Sequence, residues 1–201
     1  MYCTDSLLMT QATTDPRPLY REALAWATEL IAGVRRDQLT ASTPCTEFDV
    51  RALLGHHVAG VEIARIIGEG GDPSAAPTIV TGISDDDFVA AYRSATDRML
   101  PAWTDDRLDA EVTAPWGTVP GRVAIWVYII ETLVHGWDLA TATGQPAESR
   151  PELAEAVLAV AQHAIPAEPR GGQMPYGPVV TPSAQAGPTE QLANWSGRVS
   201  A

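Results

Sequence analysis

The sequence predicts an all-α protein, and three observations carry that prediction. Apolar residues recur at spacings of three and four along several stretches, one further stretch is apolar on nearly every face, and Gly- and Pro-rich breaks separate them. A chain of 201 residues with 45% hydrophobic content is also long enough to bury one domain-sized core.

The first helix is expected from about Pro18 to Val34, where Leu19, Ala23, Trp26, Ala27, Leu30 and Val34 form one stripe. A turn through Thr43, Pro44 and Cys45 leads to Asp49, an acceptor suited to cap a second helix from Val50 to about Ile67, which ends at Gly68 to Gly71. Pro73 to Thr81 reads as a loop. Ser84 followed by Asp87 resembles a capping box, with Asp85 and Asp86 at the positive helix end, so the third helix is expected from there to Leu100 or Trp103. Asp109 to Pro120 suggests a short hairpin or an extended loop. Gly121 to about Thr143 is almost continuously apolar, ends at a potential glycine cap, Gly144, and belongs in the core. A fifth helix opens at Pro151 and runs to about Ile165, with one short helix expected near Thr189 to Trp195. The expected organisation is a disordered leader over 1–14, a helical domain over 15–165, and a Pro/Gly-rich segment over 166–201 packing on it.

A net charge of -12 argues against nucleic acid, which is bound chiefly through clustered cations. The apolar run from Val123 to Ile130 falls short of the roughly 20 residues that span a bilayer. Met1 to Thr14 fits neither a secretory signal nor an anchor. Cys3 and Cys45 do not form a disulfide framework. The expectation is a cytoplasmic protein with no membrane or nucleic-acid partner, and the sequence leaves room for a homodimer.

Glu131 and His135 stand four residues apart on the most apolar helix, so both project from one face. A carboxylate among Ile129, Ile130, Leu133 and Val134 calls for a cation or strong hydrogen bonds. The pair has the form of a two-ligand half-site, although by itself this spacing more often makes an ordinary helix-surface hydrogen bond. A third ligand is available from His56 or His57, and because neighbouring helical positions diverge by about 100°, only one can face the same point. Periodicity does not choose between them. His163, near a helix end, suits an interaction with the negative helix terminus instead. The chain has no G-x-S-x-G elbow, Walker loop or C-x-x-C pair. Cys45 reads as a small buried hydrophobe, and Trp126 and Trp137 read as core.

Thr43-Pro-Cys-Thr-Glu-Phe-Asp-Val-Arg-Ala-Leu-Leu-Gly-His56 and Glu131-Thr-Leu-Val-His135-Gly-Trp-Asp-Leu-Ala-Thr-Ala-Thr-Gly144 closely resemble the mycothiol-dependent maleylpyruvate isomerase family of the DinB-like superfamily. The likeness extends through Trp116-Gly-Thr-Val-Pro-Gly121 and Tyr176-Gly-Pro-Val-Val180. It implies a DinB-like four-helix bundle with a metal at one end, held by His56, Glu131 and His135. Zinc, or another divalent metal, is the implied ion and mycothiol the implied thiol cosubstrate, used in isomerisation or S-transfer on a small electrophile. Asp138, three residues beyond His135, is placed to orient a ligand. The family's isomerases carry a separate C-terminal domain that contributes to substrate binding, whereas this tail is short, so maleylpyruvate itself is not implied. The alternative, of a different class, is a metal-binding scaffold or regulatory interaction protein.

Overall fold

A computed structural model describes residues 14–171 and 176–200. The leader expected over 1–14 therefore lies, apart from Thr14, outside the described residues.

Four long helices make the bundle: α1 (Arg17–Gly33), α2 (Val50–Gly68), α3 (Phe88–Met99) and, after a short α4 (Asp105–Asp109) and a hairpin, α5 (Gly121–Thr143). Helix α1 buries Tyr20, Ala23, Leu24, Ala27, Leu30 and Ile31, the three-and-four spacing of a single face. Helix α2 starts where Asp49 accepts a hydrogen bond from the Ala52 amide at 2.8 Å, as expected of its residue type. The helices close into a ring, with α1 against α5 and α3, and α2 against α3 and α5. Helix α5 is long and apolar enough to cross a membrane, but 83% of its most apolar window is buried within the fold, which makes it the core helix of the bundle. Its close approach to α1 depends on Gly136, because a Cβ there would meet the Trp26 ring at 2.3 Å.

The hairpin expected before the core helix is present, with β1 (Glu111–Ala114) antiparallel to β2 (Gly117–Pro120). One helix start differs from expectation: α3 opens at Phe88 rather than at Ser84, and no side chain caps it. Asp85 and Asp86 are drawn instead into ion pairs with Arg51 and Arg36, so residues 85–87 form a turn rather than a first helical turn. The short α4, capped by Thr104, carries too little periodicity to be read from sequence.

Two further helices follow, α6 (Pro151–Ala164) and α7 (Pro188–Trp195). Helix α7 packs on both α5 and α6. Trp195 Nε1 donates to the Ala161 carbonyl, and Thr189 Oγ1 accepts from the Ser149 amide. This brings residues 196–200 back to the end of the bundle where the side chains of interest converge.

Candidate metal centre

Helices α2 and α5 each deliver chemistry to one point. His56 comes from α2, and Glu131 and His135 come from consecutive turns of α5. Each offers one ligand atom, and all three atoms lie within 4.8 Å of one another. The imidazole rings of His56 and His135 are 4.7 Å apart at their centroids, and His135 Nε2 stands 3.4 Å from Glu131 Oε2. Of the two adjacent histidines, His56 joins the cluster. His57 turns inward and is buried beside Tyr92. His163 is exposed on α6, away from the cluster, and Trp126 and Trp137 are core residues.

The hydrogen bonds around the cluster decide which imidazole nitrogens are free. Nδ1 of His56 lies 2.7 Å from the Thr78 carbonyl, which can only accept. Nδ1 of His135 lies 3.0 Å from Asp138 Oδ2. Both Nδ1 atoms therefore carry hydrogen and donate, which leaves both Nε2 atoms for a cation, the arrangement that fixes histidine tautomers at metal sites. Gly55 allows the first of these contacts. A Cβ at this position would meet the Val80 carbonyl oxygen at 2.5 Å, so only glycine lets the loop containing Thr78 lie close to α2.

Two residues from the C-terminal segment support the cluster. The Tyr176 hydroxyl donates to Glu131 Oε1 at 3.1 Å. Arg198 Nε reaches Asp138 Oδ1 and Oδ2 at 2.9 and 3.1 Å, and Asp138 is fully buried. Neither was marked by the sequence as a site residue. Tyr176 lies in a segment that carries the family resemblance, a signal that could have singled it out, while nothing in the local sequence distinguishes Arg198.

The electrostatics match this geometry. Burial opposes the charge of Glu131, but its hydrogen bond to His135, the His135 and His56 charges and the Tyr176 hydroxyl bring its pKa down to about 2. Burial likewise opposes a proton on His135, yet the flanking Asp138 and Glu131 raise it to about 9. Without a cation, the proton of His135 balances the two carboxylates; with one, a divalent ion takes that role. Burial, then the charge of His135, lowers His56. A second cluster, Cys45, His135 and Asp138, also has ligand-capable atoms within 4.8 Å. Its cation position is served by Arg198, and burial raises the Cys45 thiol, so it stays protonated.

A cavity of about 410 Å³ opens on the cluster, lined by Cys45, Phe48, Thr78, Tyr176 and Arg198 together with the three candidate ligands. Phe48 packs against the His56 ring, with centroids 4.9 Å apart. The volume suits a small organic ligand.

A helical bundle with a His–Glu–His cluster at one end of facing helices is an architecture that hosts more than one activity. Residues 20–140 match the family described as the mycothiol maleylpyruvate isomerase N-terminal domain, and the chain belongs to that family. Among curated proteins it is 33% identical over 186 residues to an uncharacterized protein of Mycobacterium tuberculosis, the match covering 92% of this chain and 98% of that one. Its fold is similar to a DinB-like protein from Bacillus subtilis, with a TM-score of 0.53, 18% identity and coverage of 64% of this chain and 89% of that chain. It is also similar to a mycothiol-dependent maleylpyruvate isomerase, with a TM-score of 0.50, 19% identity and coverage of 79% and 70% respectively. The family match ends before Tyr176 and Arg198, so the supports from the tail lie outside the matched region.

Proposed function

We propose that the protein is a cytoplasmic enzyme that binds one zinc ion through His56, Glu131 and His135 and uses mycothiol to isomerise, or add sulfur to, a small electrophile. The single observation that carries this reading is the convergence of two Nε2 atoms and one carboxylate beside an open cavity, each held by its own hydrogen-bond partner.

Two imidazoles and one carboxylate form the donor set of catalytic zinc sites that keep an open position. Such an ion lowers the pKa of a bound thiol, making thiolate available at neutral pH. The chain's own residues do the rest. Thr78 and Asp138 hold the two imidazoles in one tautomer, and Tyr176 fixes the carboxylate of Glu131. Phe48 packs on the His56 ring at the cavity wall. Arg198 lines the cavity with its Nε committed to Asp138. With mycothiol as the thiol, sulfur adding to an electrophilic carbon gives isomerisation if it is later eliminated, and a stable S-conjugate if it is retained. The family membership and the resemblance of the motifs support mycothiol as this thiol.

The test is titration of mycothiol into the zinc-loaded protein, watched by X-ray absorption, followed by turnover assays across a panel of electrophiles. The expected result is a zinc–sulfur distance near ~2.3 Å and thiol-dependent turnover. Zinc that binds no thiol and supports no turnover would contradict the enzyme reading and favour a structural scaffold.

A further inference from the structure

The three candidate ligands form a wall shared by two cavities. The outer one, of about 410 Å³, is the substrate-sized cavity described above. The other, on the side of the buried His57, Tyr92 and Tyr128 that also line it, holds only about 30 Å³. These three side chains are buried, at 6%, 0% and 6% exposure. His57 Nε2 and the hydroxyls of Tyr92 and Tyr128 have no hydrogen-bond partner among the described residues. Tyr20, on the same wall, is satisfied by Thr132.

Three unpartnered polar groups around one small cavity are costly unless a polar guest joins them. The volume exceeds the roughly 10–15 Å³ that one water needs and is far below the several hundred that an organic ligand fills. We propose that this smaller chamber binds a single ordered water that braces Glu131 from the side of His57, Tyr92 and Tyr128, opposite the brace from Tyr176. A water has two lone pairs and two hydrogens, and the wall uses all four. The hydroxyls of Tyr92 and Tyr128 donate to the water oxygen. His57 accepts one of its hydrogens at Nε2, the buried ring nitrogen left unpartnered. The other hydrogen is left for the ligand wall, where the Glu131 carboxylate is the acceptor. The water site rests on the chamber alone, while its support of a metal ligand rests on the zinc reading above.

Two measurements on the zinc-loaded protein test this: high-resolution crystal structures of wild type and Tyr92→Phe, and zinc affinity by chelator competition for both. The expected result is a density peak within about 2.7–3.2 Å of His57 Nε2 and both tyrosine oxygens in the wild type. Tyr92→Phe should then melt at a lower temperature and bind zinc roughly tenfold more weakly, and Tyr128→Phe should repeat the pattern. A dry chamber makes the opposite forecast, because deleting an unpaired buried hydroxyl is neutral or stabilising. No peak, or a Tyr92→Phe protein of unchanged or higher stability with unchanged zinc affinity, would overturn the inference. Absence of zinc from the wild type would instead overturn the metal reading and leave the density to decide the chamber.

Discussion

The bundle and the C-terminal segment contribute to the same site in different ways. The bundle supplies the three candidate ligands from α2 and α5, where helical spacing alone sets Glu131 and His135 on one face. Residues 176–200 supply none of these ligands, yet Tyr176 bonds Glu131 and Arg198 bonds the Asp138 that holds His135. The ligands thus come wholly from periodic structure, whereas their orientation is shared between the bundle, through Thr78 and Asp138, and the returning tail, through Tyr176 and Arg198.

Breaking the tail's contribution should have the largest effect. Arg198→Ala leaves the fully buried Asp138 without its guanidinium partner, and removing one member of a buried pair costs about 3 kcal/mol or more. Denaturant melts should record that loss, and a change within about 0.5 kcal/mol, typical of surface substitutions, would show that the tail does not support the bundle. Tyr176→Phe separates orientation from stability. It should weaken zinc binding roughly tenfold with little change in melting temperature, and equal affinities in a chelator competition would remove Tyr176 from the site. On the bundle side, Gly55→Ala should force the Val80 carbonyl away from α2 and loosen the Thr78 contact to His56. A few-fold loss of zinc affinity, on the order of 1 kcal/mol, is the expected readout, and an unchanged affinity would mean that the loop does not hold His56.

The last effect is one of pH on the metal-free protein. The pKa of His135 is raised from 6.5 to about 9, so the stability drawn from its carboxylate partners is complete below pH 6.5 and is lost as the pH rises through about 9. Melts across that window should show a decline that His135→Gln abolishes. A slope of the same size in both proteins would assign the effect to other groups.

Much of the bundle was legible because its signals are local. The stripe on α1, the Asp49 cap and the apolar run of α5 each declare themselves within one element, and the structure places those helices within a few residues of expectation. The start of α3 was misread because its acidic residues looked like a helix opening, while distant Arg36 and Arg51 claim Asp85 and Asp86. The pairing of Glu131 with His135 was readable from spacing. The choice of His56 over His57 was not, since both have apolar neighbours, and only the motif resemblance separated them. Arg198 was invisible for a physical reason: its partner lies 60 residues away, and a long-range ion pair leaves no periodic trace. The carbonyl of Thr78 was hidden in the same way, because backbone acceptors have no residue signature.

The central claim is that His56, Glu131 and His135 together hold one divalent ion. Metal content of the purified protein tests it most directly, measured for the wild type, for each of the three residues changed to Ala, and for His163→Ala as a control on an exposed histidine. Near-stoichiometric zinc is expected in the wild type and in His163→Ala, and its loss in each of the other three. A wild type without metal, or zinc retained when His135 is removed, would contradict it.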